Sequence, residues 1–285
     1  MNWQLVLILY FIISTASTLQ RRLYAKQTKV SPALVSFVSH TLFVFPLGIL
    51  YVLLSGENLE IPNITIILWS VLAAFLQAIF NVLSFKSQKE VDATQYTIIA
   101  NIYTPITVIV SALLIHEGLT TLQYIGMAFL VIGAIVVSAK GFTTKTFRFD
   151  SYTLLATLSG VALGFALVAE RSAIKLGGLA VYFLVGWGIQ ALIQFLIAWP
   201  ERQQLKSLPG KEMKQIALMG ILRFGQLFTF LVATKLAGNL ALLSSLTTFK
   251  VVLVFVASFY ILKEKDHLWR KVIGCILATV GLLLS

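Results

Sequence analysis

An all-α membrane protein of ten spans, arranged as two inverted five-helix repeats, is the fold class this sequence predicts, and three observations carry it. Of the 285 residues 58% are hydrophobic and 12% charged, with a mean hydropathy of +0.91, far too little polar surface to coat a water-soluble globule of that size. Ten segments approach or reach the roughly 20 residues that a helix needs to cross hydrocarbon. The features of Val110–Ser138 also return in the same order in Ala257–Ser285: an apolar run, a glutamate (Glu117, Glu264), a polar turn, and a second apolar run with glycines seven apart (Gly126 and Gly133; Gly274 and Gly281). Runs such as GMAFLVIGAIVVS are apolar on every side, whereas a membrane β-barrel shows strict alternation in segments of about ten residues.

In chain order the predicted spans are Trp3–Gln20, Pro32–Leu54, Thr65–Phe85, Ala93–Ile115, Leu119–Ser138, Tyr152–Glu170, Leu179–Trp199, Met213–Thr234, Asn239–Leu262 and His267–Leu284. Span 1 reads as a retained helix and not a cleaved signal, because Met1–Gln4 carries no Lys or Arg and the basic cluster Arg21, Arg22, Lys26, Lys29 follows the apolar run. Span 2 carries His40, four residues after Ser36, a candidate proton carrier by its near-neutral reference pKa; a packing role is the competing reading. Span 3 sets Gln77 and Asn81 four apart, and span 4 does the same with Thr97 and Asn101, so each pair shares a helical face. Pro105 in span 4 kinks it or frees a carbonyl. Between spans 5 and 6 the polar, basic connector Ala139–Ser151 separates five spans from five, dividing the chain into repeats at residues 1–140 and 151–285. An odd number of spans per repeat sends the second half into the membrane from the opposite side.

Span 6 has Gly160 and Gly164 at a spacing that lets helices approach closely, and ends at Glu170, the one acid among the spans. Gln190 and Gln194 share a face of span 7. Span 8 holds Arg223 and Gln226 three apart, and span 9 holds Ser244, Thr247 and Thr248 in the turn before Lys250. The single cysteine, Cys275, lies in span 10 and permits no intramolecular disulfide.

A charged side chain at mid-span costs from about 2.5 to above 10 kcal/mol, so it needs water, a partner or a ligand. Arg223 and Lys250 stand at that depth with no acid beside them, which implies that a bound substrate supplies the negative charge. Snorkelling or pairing with Glu170 is the bland alternative. Gln77, Asn81, Asn101 and Gln226 would add hydrogen bonds, Glu170 would pair with a cation when the site is empty, and spans 1, 3, 4, 6, 8 and 9 would enclose the site near the midplane. Interhelical hydrogen bonds of about 0.6 to 2 kcal/mol each explain any one of these amides equally well.

The net charge of +11 orients the chain and gives no nucleic-acid face. Loops after odd-numbered spans hold Arg21, Arg22, Lys26, Lys29, Lys86, Lys89, Lys140, Lys145, Arg148, Arg202, Lys206, Lys211, Lys214, Lys263, Lys265, Arg270 and Lys271; those after even-numbered spans hold only Arg171, Lys175 and Lys235. The positive-inside rule then puts both termini outside, and the expected membrane is the bacterial inner one.

The repeated glutamate-then-glycine signature, Pro105 within ANIYTPITVIVSALLIHE, and the five-plus-five plan resemble the drug/metabolite transporter superfamily in its ten-helix EamA-type form. TTFKVVLVF also resembles span 9 of the triose-phosphate and nucleotide-sugar branches, where a lysine at the place of Lys250 meets a phosphate. The likeness stops there, because Val251 follows where those branches have an arginine. The resemblance implies a secondary transporter working by alternating access, and the buried cations Lys250 and Arg223 imply that its substrate is a small polar, anionic metabolite. A proton-coupled exporter of amino acids or drugs is the alternative within transport, weakened by the lack of an acid in span 1, and a non-transporting scaffold is the alternative outside it. Enzyme readings fail: His116-Glu117 lacks a second histidine four residues on, no GxxxxGK[ST] loop occurs, and Asp92, Asp150 and Asp266 all lie in loops. Neither cofactor nor metal is expected. The expected partners are a small-molecule substrate, the lipid bilayer and a second copy in a homodimer.

Overall fold

The computed structural model describes residues 2–57, 59, 61–117, 120–138, 150–264 and 268–284, and every regular element among them is helical. Helix α1 is Trp3–Gln27, α2 Pro32–Ser55, α3 Ile64–Ser87, α4 Ala93–Leu114, α8 Gly210–Ala237 and α9 Leu240–Leu262; α5 is Thr121–Ser138 and α10 is Leu268–Leu283. Helices α6 and α7, residues 151–177 and 179–198, form one run, Ser151–Ala198, broken only at Gly178. Among the described residues seven stretches are long and apolar enough to cross a membrane, the run through α6 and α7 counting as one. Most of the predicted connector, residues 139–149, lies outside the described residues, as does Asp266.

Two expected loops turn out to be helix. Arg21, Arg22 and Lys26 ride on α1, which continues through Gln27, and Arg171 and Lys175 ride on α6 beyond Glu170. A charge ends a hydropathic run but does not end a helix, since Arg and Lys are good helix formers, and the three arginines find partners inside the bundle. The side chain of Asn63 accepts the Ile66 N–H as the cap of α3.

Polar groups face inward and apolar ones outward. On α1, Leu5, Ile8, Leu9 and Ile12 are exposed, whereas Ser14, Ser17, Thr18 and Arg21 are buried. Hydrocarbon solvates the first set at no cost and offers the second nothing, so the bundle interior collects every group that needs a hydrogen bond. Helix α1 packs on α8, α3 on the α6–α7 run, α4 on α6 and on the start of α9, and α5 on α10. The repeated glycines Gly126, Gly133, Gly274 and Gly281 are all buried on α5 and α10. Phe183 and Trp187 stack at 4.0 Å on α7, and Tyr51 of α2 and Phe228 of α8 close around Phe183.

Helices α4 and α9 are both discontinuous. In α4 the helical hydrogen bonding lapses at Asn101–Ile102, between Ala93–Ala100 and Tyr103–Leu114. Pro105 is the cause: it has no N–H to give the Asn101 carbonyl, and that carbonyl accepts instead from Thr104 N at 2.9 Å. In α9 a 3-10 turn, Thr247–Phe249, interrupts the helix just before Lys250. There the hydroxyl of Thr247 donates to the Ser244 carbonyl at 2.8 Å and competes for the backbone acceptor. Tyr103 Oη and Thr247 Oγ1, 2.8 Å apart, tie the two breaks together.

Gly160 and Gly164 allow α6 to lie directly on the α4 break. A β-carbon at Gly160 would stand 2.5 Å from the Ala100 carbonyl oxygen, and one at Gly164 would stand 3.0 Å from that of Tyr103. Gly178, with φ 80° and ψ 171°, occupies a region that is essentially reserved for glycine. Gly178→Ala is therefore expected to destabilise the protein by about 1–3 kcal/mol, read as a lowered thermal midpoint in detergent, while Gly210→Ala, in open space at a helix start, leaves the midpoint unchanged.

Candidate functional site

At the centre of the bundle α1, α3, α4, α6, α8 and α9 surround a cavity of about 710 Å³, its opening included. Three cations reach it: Arg21 from α1, Arg223 from α8 and Lys250 from α9. No Asp or Glu lines it among the described residues. Tyr10, Tyr96, Tyr103, Asn101 and Gln226 supply polar edges, and Phe80, Leu163, Leu167 and Phe230 apolar ones.

The cations are held loosely. Arg223 donates to Gln77 Oε1 and Gln226 Oε1 at 3.4 Å each, long for such bonds, and its Nε finds no acceptor among the described residues. The guanidiniums of Arg223 and Arg21 both lie over the Phe80 ring, 5.1 and 5.9 Å from its centroid. Arg21 also donates to Ser84 Oγ at 2.7 Å. Lys250 makes no hydrogen bond or ion pair among the described residues and feels the charges of Arg21 and Arg223. Snorkelling and pairing with a protein carboxylate, the bland alternatives for Lys250 and Arg223, are thus not what the structure shows.

Of the residues singled out in the sequence, Lys250, Arg223, Thr97, Asn101 and Gln226 line this cavity. Gln77 stands behind Arg223. Asn81 and His40 line a smaller adjoining space that shares Arg21 and Arg223 with the first. There His40 Nε2 donates to the Trp187 carbonyl at 3.0 Å, a satisfied packing contact. Glu170 lines neither space and makes no ion pair with a cation among the described residues. It is 1% exposed and faces the Tyr182 hydroxyl and the Gln77 amide, within the field of Arg223, yet neither carboxyl oxygen completes a hydrogen bond among the described residues. Arg21 escaped the sequence reading, which spent it on orientation. Its signal was Ser14, Ser17, Thr18 and Arg21 at three-, four- and seven-residue spacings, a polar stripe that runs on past Gln20.

Above and below the cavity the repeated glutamates close the bundle. Glu117 Oε1 accepts from Arg171 at 3.0 Å while its Oε2 accepts from Leu240 N, the first residue of α9, at 2.7 Å. Glu264 Oε1 accepts from Arg22 at 2.9 Å while its Oε2 accepts from Ala93 N, the first residue of α4, at 2.9 Å. Each glutamate follows a residue with φ 56°, His116 or Lys263, which turns the chain so that the carboxylate points back into the bundle. A carboxylate at a helix N-terminus meets unpaired N–H groups and the positive end of the dipole, so each glutamate ties together an arginine and a helix start from the other half. Lys271 with Asp92 at 2.8 Å reinforces the Glu264 end. At the other end Glu57 accepts from Lys235 at 2.7 Å, from the Tyr51 hydroxyl and from Ala180 N.

A helical bundle that is apolar outside, polar within and built around a basic cavity between discontinuous helices defines a class of protein: an integral, multi-pass membrane protein. Residues 3–139 match the EamA-like transporter family, in agreement with the drug/metabolite transporter superfamily, and the match indicates a membrane transporter. A solved crystal structure, described only as that of a protein, is similar to this chain with a TM-score of 0.67 and 19% identity, over 96% of this chain and 97% of the other; the likeness is one of fold. No curated protein gives a match.

The latches differ in burial from the rim pair, and stability should follow. Glu117→Gln leaves the buried Arg171 without its charge partner and is expected to cost about 3–5 kcal/mol, seen as a large drop in thermal midpoint; Glu264→Gln costs less, because Arg22 keeps Asp92 at 3.4 Å, and Lys235→Gln, on a half-exposed side chain, costs about 0–1 kcal/mol. Burial pushes the Glu57 carboxyl up, but Lys235, Tyr51 and Ala180 N outweigh it and hold it below the usual range. Its contribution is therefore present above the ordinary carboxylate pKa and lost as pH falls through the lower folded value; comparing the midpoints of Glu57→Gln and the wild type across acid pH checks this.

Proposed function

We propose that this protein is a secondary transporter of ten crossings, two inverted five-helix repeats, that moves a small anionic metabolite by alternating access. The observation that carries the substrate class is the convergence of Arg21, Arg223 and Lys250 on one cavity whose lining includes no carboxylate. Desolvated cations without a counter-charge repel one another, and an anion relieves that repulsion. Three positive charges favour a ligand with more than one negative charge, a dicarboxylate or a phosphate-bearing carboxylic acid, with its apolar body against Phe80, Leu163 and Phe230. The amides of Asn101 and Gln226 offer it hydrogen bonds, and the two long bonds from Arg223 are cheaply exchanged for shorter, charge-assisted ones.

Support for the inverted repeat comes from the packing. Matching each helix to the one five places later turns the pair α1–α8 into α6–α3, and maps α4–α9 and α5–α10 onto themselves; all of these pairs are in contact. The breaks in α4 and α9 fall at corresponding places, as do the two glutamate latches. Transporters of this plan bind substrate where broken helices meet.

Alternating access then has its ends defined. Opening one end requires parting Glu117 from Arg171 and α9; opening the other requires parting Glu264 from Arg22 and α4. Either event leaves buried charges unpaired, so the two ends do not open together. By the charge count the Glu117 end faces outward and the Glu264 end faces the cytoplasm of a bacterial inner membrane.

A cavity of this kind opposes a dry scaffold, and an exporter of cations would lack a counter-charge there. Thermal protection of the purified chain by malonate and phosphoenolpyruvate, with none by alanine or lysine, is the expected result. Lys250→Ala and Arg223→Leu should each weaken that protection by about one to two orders of magnitude, the worth of one charged hydrogen bond. Protection that is unchanged in Lys250→Ala overturns the reading.

A further inference from the structure

Glu170 is the buried charge that the anion site leaves unused. It sits on α6, 1% exposed, with neither carboxyl oxygen in a completed hydrogen bond among the described residues. From α7 it meets Tyr182, whose hydroxyl is likewise unpaired; from α3 it meets Gln77, whose Nε2 is unpaired; from α8 it feels Arg223. Helix α4 meets α6 elsewhere, at Ser159 and Gly164. Gln77 is therefore a shared neighbour: its Oε1 accepts from Arg223 while its amide group lies beside Glu170. Among the described residues the cation that acts on Glu170 is Arg223, one of the three that line the cavity.

We propose that Glu170 is a proton-binding site that loads together with the anion, so that the protein carries an anion and a proton in the same direction. This rests on the anion reading above and adds the coupling ion to it. In the empty site the positive field of Arg223 is the counter-charge for a Glu170 carboxylate. An anion entering the cavity draws the guanidinium into its own ion pair, and Arg223 gives up the long bond to Gln77. Glu170 then keeps only the neutral groups of Tyr182 and Gln77, and one proton from water converts the carboxylate into a neutral carboxylic acid that donates to the Tyr182 oxygen. No other bond forms or breaks, and release runs the same steps backwards. Because the anion and the Glu170 carboxylate compete for one positive charge, and the proton removes the carboxylate from that competition, each ligand must raise the affinity for the other by the same factor. Glu170 acts through Arg223 and touches no substrate.

The test counts protons. Phosphoenolpyruvate is added to the purified full chain in weakly buffered detergent solution near pH 7.5, and proton uptake is followed with an indicator dye beside the fluorescence binding curve. The expected result is uptake of about one proton per anion bound by the wild type in excess of Glu170→Gln. Wild-type affinity should fall about tenfold per pH unit on the alkaline side, while that of Glu170→Gln, which imitates the loaded acid, stays flat. Binding by the wild type with no uptake overturns the proposal and leaves the anion reading standing, and that result needs no variant to fold. Equal uptake by both proteins also overturns it. If neither phosphoenolpyruvate nor malonate binds the wild type at all, the anion reading fails and the coupling fails with it.

Discussion

One carboxylate holding an arginine and a helix start at each end of the bundle is the interaction on which the rest depends. Glu117 and Glu264 each satisfy two needs that the membrane leaves open. A guanidinium drawn inside a bundle must have a counter-charge, and the first N–H groups of a helix must have an acceptor where water is scarce. Each glutamate comes from the end of one broken helix and caps the beginning of the other, so α4 and α9 are pinned against one another at both ends. Their weak points, Asn101–Ile102 and Thr247–Phe249, are left at the middle. A cavity bounded by backbone that is free of regular hydrogen bonding follows from that arrangement.

The contrast between the two kinds of arginine is instructive. Arg22 and Arg171 have carboxylates within 3.0 Å and complete their sets with backbone carbonyls, Gln88 and Gly238. Arg21, one residue from Arg22 and so about 100° around the helix, has only a serine, and Arg223 has two distant amides. Adjacent residues on α1 thus divide the work: one closes an end of the bundle, the other charges its interior. Neither role is visible in the fact that both are arginines.

Burial of charge also sets the limits on motion. Groups that are paired and buried resist separation, while groups that are buried and unpaired reward a newcomer. The structure concentrates the first kind at its two ends and the second kind in the centre, with Glu170 and Gln77 one layer behind.

How much of this could be read from the chain follows from the range of the forces involved. Hydropathy is local, and so the membrane class and the apolar helices were legible. So was the recurrence of a glutamate before a glycine-spaced run, because a repeat is a property of order. Pro105 announced a break in α4, since the missing N–H is a covalent fact, whereas the break in α9 depends on which acceptor the Thr247 hydroxyl selects. Helix ends were misjudged at Gln20 and Glu170 because charge was taken as a terminator, and with them Arg21 was mislaid in a loop. The packing decided what no spacing states: that Glu117 reaches the start of α9 across 123 residues of chain, that Glu170 makes no ion pair among the described residues, and that His40 is spent on a carbonyl. Composition determines which groups cannot face lipid; only the assembled bundle decides which of them find each other and which are left waiting, because in a low-dielectric interior a partner a few ångströms away outweighs anything the neighbouring sequence can offer.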